Sequence, residues 1–170
     1  MNYLPCLKKA WRMRIKYRLS QKIFFKLKDQ CFWVEEFFSY CIRRSFKIKR
    51  TSYLHAEGYP AGEMKHGPLA LIEDGLPVII IAPNDRYFGK TISNMQEVIA
   101  RGGKILLVTD IKKEVLNENI RFGIRVPSID DLLSPFLLTI PLQLLAYHVA
   151  LLKNCDIDKP RNLAKSVTVE

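Results

Sequence analysis

Leu76-Pro77-Val78-Ile79-Ile80-Ile81-Ala82-Pro83 is a short apolar run rich in β-branched residues, bounded by Gly75 and by Asn84-Asp85. A run of this length and composition reads as a strand buried on both faces, the kind that parallel sheets contain. Thr91 to Arg101 follows, with Ile92, Met95, Val98 and Ile99 spaced for one face of a helix, and Gly102-Gly103 supplies the stop, because glycine accepts the left-handed turn that ends a helix. Lys104-Ile105-Leu106-Leu107-Val108-Thr109-Asp110 is then a second buried strand. Strand, helix and strand in so short a span form a βαβ crossover, which implies parallel strands and a right-handed connection. The fold class is α/β.

Downstream, Ile120 to Val126 alternates Ile120, Phe122, Ile124 and Val126 with Arg121 and Arg125 around Gly123, a weaker third strand. Pro127-Ser128 opens a helical region that is apolar on all sides from Phe136 to Leu152, punctuated by Pro135 and Pro141. A helix of that kind is expected to be buried against the sheet or a partner subunit. His148 on it is expected as a satisfied core histidine rather than a ligand. The tail from Asn154 to Glu170 is polar and reads as a loop. Upstream, Ser52 to Leu71 gathers two His, two Glu, one Lys, three Gly and two Pro, residues selected for backbone shape and chemistry more than for core volume.

The net charge of +10 invites a nucleic-acid reading, but its location argues otherwise. Residues 1–51 hold 14 Lys and Arg against three acids, and the rest of the chain holds 13 against 14. Both Trp and three of the four Cys also precede Ser52, while all eight Gly follow it. Residues 1–51 and 52–170 therefore read as two segments of different history. In the first, Trp11, Ile15, Leu19, Ile23 and Leu27 can form a helical stripe opposite a cationic face over residues 11–28, whereas residues 31–50 are aromatic and Cys-rich with no clear period. Basic amphipathic patterns diagnose no partner by themselves. No run approaches the ~18 consecutive apolar residues of a membrane helix. The cysteines at 6, 31, 41 and 155 have no metal-site spacing. The expectations are a cytoplasmic protein with no metal, no cofactor, no nucleic acid and no membrane partner.

Four blocks in order then carry a resemblance: His55-Ala56-Glu57; Gly62-Glu63-Met64-Lys65-His66-Gly67-Pro68-Leu69-Ala70-Leu71; Pro141-Leu142-Gln143-Leu144-Leu145-Ala146-Tyr147-His148; and Lys159-Pro160-Arg161-Asn162-Leu163-Ala164-Lys165-Ser166-Val167-Thr168-Val169-Glu170. With them Ser52 to Glu170 resembles the C-terminal half of the isomerase domain of glutamine–fructose-6-phosphate transaminase (isomerising), the glucosamine-6-phosphate synthase of amino sugar biosynthesis. The resemblance implies the second of two sugar-isomerase (SIS) subdomains, a flavodoxin-like parallel sheet with flanking helices. It implies a hexose 6-phosphate ligand and a homodimer, or association with a full-length synthase. It also assigns roles: His66 to ring opening in the neighbouring subunit's site, which needs a group that exchanges protons near neutral pH, and Lys165 in the tail to holding the sugar. Lys47 stands where a substrate-binding lysine of the family would.

The departures are as informative. The family's catalytic Glu, which carries the proton between carbons, falls at Arg50, and an arginine side chain offers no proton-accepting site. The glutaminase and the first SIS subdomain, with its phosphate-binding Ser/Thr loop, have no counterpart in this sequence, so the chain is expected to be inactive alone, with apolar surface exposed. Residues 31–50 admit a further reading. If Arg43 to Arg50 is written AGA AGG AGC TTT AAA ATT AAA AGA, the frame one base later gives the family's Glu-Gly-Ala-Leu-Lys-Leu-Lys. In the other frame Trp33-Val34-Glu35-Glu36 allows its Gly-Arg-Gly. Out-of-frame translation before Thr51 is the origin expected for this segment.

Overall fold

The computed structural model describes residues 30–35, 47–111, 120, 122–130 and 132–161. Five parallel strands form one sheet: β1 (Gln30–Glu35), β2 (His55–Pro60), β3 (Pro77–Ile81), β4 (Lys104–Thr109) and β5 (Phe122–Arg125). Their order is β2-β1-β3-β4-β5, the order of a flavodoxin-like doubly wound sheet. The α/β class and the flavodoxin-like parallel sheet with flanking helices are thus both present.

The two strands expected at Leu76–Pro83 and Lys104–Asp110 are β3 and β4, paired Val78 with Ile105 through Ile81 with Val108. Because strand side chains alternate faces, their residues divide between two cores. Ile79, Ile81, Leu106 and Val108 join one cluster with Ile48, Leu54, Leu138, Leu142 and Leu145; Val78, Ile80, Ile105 and Leu107 join the other with Met64, Met95 and Val98. A continuous apolar run is what a strand covered on both faces requires, and the observed sandwich supplies both covers.

Helices provide those covers. Residues 47–52 form α1, Phe88–Ala100 form α2 and Ser134–Leu152 form α3. Helix α2 starts a turn before the expected Thr91, because Asp85 organises the turn: its Oδ1 accepts the Tyr87 N–H at 2.9 Å and its carbonyl accepts the Phe88 N–H at 3.1 Å. The helix ends where Gly102 adopts φ 86°, and a Cβ there would lie 2.8 Å from the Asp74 Cα. Glycine is required at that position by both conformation and space.

Helix α3 begins at Ser134 rather than near Pro127, since the Asp130 carbonyl takes the Leu133 and Ser134 N–H groups and its Oδ1 takes that of Leu132. By length and composition alone α3 could cross a membrane, but it lays Leu138, Leu142, Leu145, Ala146 and Val149 into the first core. Its other side leaves Phe136 69% exposed, next to Leu132 at 82%. Residues 31–50, in which the sequence shows no clear period, contribute most of β1 and part of α1. The helix expected over 11–28 lies outside the described residues.

Candidate functional site

Helix α1 sets the site through its two faces. Ile48 and Ser52 are fully buried, and the Ser52 hydroxyl is satisfied within the helix by donating to the Ile48 carbonyl at 2.8 Å. This anchored face turns Lys47, Arg50 and Thr51, at i, i+3 and i+4, toward a cavity of about 760 Å³. A face of α3 forms the second wall with Gln143, Ala146 and Tyr147, again at i, i+3 and i+4. The third wall is Ile157-Asp158-Lys159-Pro160. Asp156 Oδ1 shapes that loop by accepting the backbone N–H groups of Asp158 at 2.9 Å and Lys159 at 2.8 Å.

The loop reaches the cavity because α3 ends cleanly. Asn154 takes φ 53°, a left-handed conformation asparagine tolerates better than most residues. The Cys155 N–H then bonds the Ala150 carbonyl at 2.9 Å, closing the helix as a Schellman-type cap does. Six residues further, the Arg161 N–H meets the Tyr53 hydroxyl at 2.8 Å, and its guanidinium lies 4.1 Å from the centre of the Tyr53 ring. Tyr53 itself follows α1 at φ 57°, a strained conformation for an aromatic residue.

Of the site residues expected from sequence, Lys47 lines this cavity together with Arg50. His66 does not: it ends the 3-10 turn Ala61–His66 beyond the carboxyl end of β2, and its side chain is exposed. That turn is stapled to α2, where Asn94 Nδ2 donates to the Ala61 carbonyl at 2.8 Å and Lys65 pairs with Glu97 at 2.6 Å. The Lys65 ammonium holds the Glu97 carboxyl below its ordinary range. Lys165 lies outside the described residues. His148 is half-buried and edge-on to Tyr147, with ring centres 5.2 Å apart. Among the described residues no group of three His, Cys, Asp or Glu could hold a metal ion.

A second polar group lies on β2, where His55, Glu57 and Tyr59 share one face. Tyr59 Oη donates to Glu57 Oε2, and His55 Nε2 is 3.1 Å from Glu57 Oε1. The Tyr59 bond lowers the Glu57 carboxyl, while burial, with the carboxylate beside it, pushes the Tyr59 phenol up to about 12.

Sequence reasoning did not pick out Thr51, Gln143, Tyr147 or Asp158 as lining residues, nor the Tyr53–Arg161 contact. A polar Gln143 in an otherwise apolar helix was the available signal for one of them. The contact with Arg161 has no local sequence signature.

The family model of the SIS domain matches residues 40–153. The chain belongs to the SIS domain family. The SIS match starts ahead of Ser52 and takes in both Lys47 and Arg50. The chain is 54% identical over 134 residues to a glutamine--fructose-6-phosphate aminotransferase [isomerizing] of Rhizobium meliloti and 53% identical to that of Agrobacterium fabrum. Each alignment covers 78% of this chain and 22% of the relative. Among solved structures, the C-terminal domain of glucosamine-fructose-6-phosphate aminotransferase from Francisella tularensis superposes with a TM-score of 0.84 at 37% identity, covering 91% of this chain and 44% of that one. This SIS domain is thus homologous to the C-terminal isomerase region of the aminotransferase, and it spans about a fifth of the curated relatives' length.

Proposed function

We propose that this chain is a sugar-phosphate-binding SIS domain of the glucosamine-6-phosphate synthase type that does not itself isomerise its ligand. The observation that carries the reading is Arg50, which lines the cavity at the position where the resemblance calls for a glutamate base. Moving a proton between adjacent sugar carbons needs a group that accepts it and returns it. A guanidinium does neither, although it is well suited to binding. Hexose 6-phosphate is the ligand class, in a cytoplasmic setting, and no nucleic acid or membrane partner is proposed.

The test is twofold. Purified protein incubated with fructose 6-phosphate and either glutamine or ammonium is expected to yield no glucosamine 6-phosphate, while calorimetry registers binding of the sugar phosphate. Product formed by the chain alone would overturn the reading, and so would a flat calorimetric trace.

One placement favours a second reading. His66 is exposed and apart from the cavity, as expected of a side chain that serves a neighbouring subunit's site. In this reading the chain works in company, as a homodimer or beside a full-length synthase, with Lys165 helping to hold the sugar. Mixing it with a synthase whose own equivalent histidine has been removed would then restore product. Residues 31–50 are proposed to be out-of-frame translation of an ancestral synthase gene. Codons in the coding DNA that disallow the shifted readings of residues 31–50 refute this origin.

A further inference from the structure

The cavity between α1, α3 and the 157–160 loop presents Lys47, Arg50 and Lys159 and one carboxylate, Asp158. Among the described residues no ion pair involves any of these four, whereas Lys65, Arg101 and Lys104 each have a carboxylate partner. Lys47 and Arg50 are neighbours on one helical face, where like charges destabilise each other. The buried Ile48 and Ser52 on the opposite face fix the rotation of α1 and so keep both exposed cations at the cavity. A concave wall carrying excess charge of one sign focuses its field into the cavity and concentrates ions of the opposite sign there.

We propose that this cavity is an anion site that takes the phosphate end of a small sugar phosphate. The guanidinium of Arg50 supplies a two-pronged donor to the phosphate oxygens, Lys47 adds charge from the same helical face and Lys159 from the facing loop. Gln143 and the face of Tyr147 are left for the sugar's hydroxyls and its C–H side. The position that the family resemblance gives to a base thus becomes the anchor of the ligand's charge. The Tyr53–Arg161 contact holds the loop carrying Lys159 against α1, so the third cation is placed by the fold. The inference rests on the sugar-phosphate-binding reading above and adds to it the residue and the end of the ligand that make the contact.

Calorimetric titration of the full chain with glucose 6-phosphate, glucose and inorganic phosphate tests it. Glucose 6-phosphate is expected to bind at least tenfold more tightly than glucose, and more weakly as salt is raised. Arg50→Glu is expected to lose about tenfold or more in affinity, since a charge-assisted contact is replaced by repulsion. Asp158→Asn is expected to gain affinity severalfold. Arg50 is exposed, and a thermal melt matching the parent establishes that Arg50→Glu is folded; Lys159→Ala, on a separate loop, provides an independent loss of affinity. Sugar phosphate that binds Arg50→Glu and Lys159→Ala as well as the parent overturns the anion site while leaving the sugar-phosphate reading intact. Equal affinity for glucose and glucose 6-phosphate overturns both, and inorganic phosphate binding as tightly as glucose 6-phosphate overturns the sugar part of the assignment.

Discussion

Arg161 and Tyr53, 108 positions apart in the chain, hold each other twice, once through a backbone N–H on the phenol oxygen and once through a guanidinium over the ring. The pair keeps the residues after α3 against the end of α1, and it helps offset the unfavourable backbone of Tyr53. Tyr53→Phe keeps the ring and deletes the hydrogen bond, so about 0.5–1.5 kcal/mol of stability is expected to be lost. Limited proteolysis should cut residues 153–161 faster in the variant. Unchanged cleavage there would show that the tail is held by other means.

Gly102 permits a sharper prediction. An alanine Cβ would meet the Asp74 backbone at 2.8 Å while the residue is at φ 86°, so both strain and collision oppose it. Gly102→Ala is expected to cost about 1–3 kcal/mol, read as a lower midpoint in urea denaturation. Gly75 has a similar φ of 85° with nothing within 4 Å of its Cβ position, and Gly75→Ala should cost less. Equal losses at both would remove the steric part of the argument.

Alkaline titration should separate Tyr59 from the other tyrosines. Its phenol loses its proton near 12 rather than at the ordinary 10.0, so phenolate absorbance is expected to show a late component that Tyr59→Phe removes. The folded protein holds this proton more tightly than the unfolded chain. The stability linked to it is therefore complete below pH 10 and falls as pH rises through about 12. The partner carboxylate of Glu57 acts at the other extreme: its lowered value favours the fold above 4.5, and that contribution is lost as pH falls through the lowered value.

The turn that leads to His66 has two staples of different kinds, and they should respond differently to mutation and salt. Asn94→Ala removes the donor to the carbonyl of fully buried Ala61 and is expected to cost about 1–3 kcal/mol. Glu97→Gln cuts the partly exposed pairs with Lys65 and Arg101, an effect that added salt should erase. Hydrogen exchange across residues 61–66 checks both. A salt-insensitive Glu97→Gln phenotype would contradict the assignment of those pairs to the surface.

The elements legible in the sequence were those whose neighbours lie close in the chain. Val78 to Ile81 and Ile105 to Val108 each show a buried run, and Gly102 marks the stop between them, so the crossover needs only local pattern. β1 was missed because its ladder partners come from residues 55–60 and 78–80, and nothing in an aromatic, Cys-rich stretch announces pairing over such distances. The early end given to the region before α3 failed for a different reason: Asp130 holds the following residues in a turn that hydropathy does not register. At the cavity, Lys47 and Arg50 were singled out through the family resemblance, which places a lysine and a catalytic glutamate at those positions. Lys159 and Asp158 were not, because a loop's position is decided by tertiary contacts such as Arg161 with Tyr53.

The strand order places β1 between β2 and β3, and among the described strands β2 has no other neighbour. Withdrawing residues 30–35 would therefore strip β2 of its whole ladder while leaving β3, β4 and β5 paired. The sheet thus has a seam, with a crossover unit that can persist on one side and an edge that depends on a single strand on the other. Opening along it would free β2 at a lower free energy than global unfolding. The ligand cavity is walled by α1, just ahead of β2, and by α3, which packs on the core with β3 and β4, so a molecule bound there would act as a clasp across the seam.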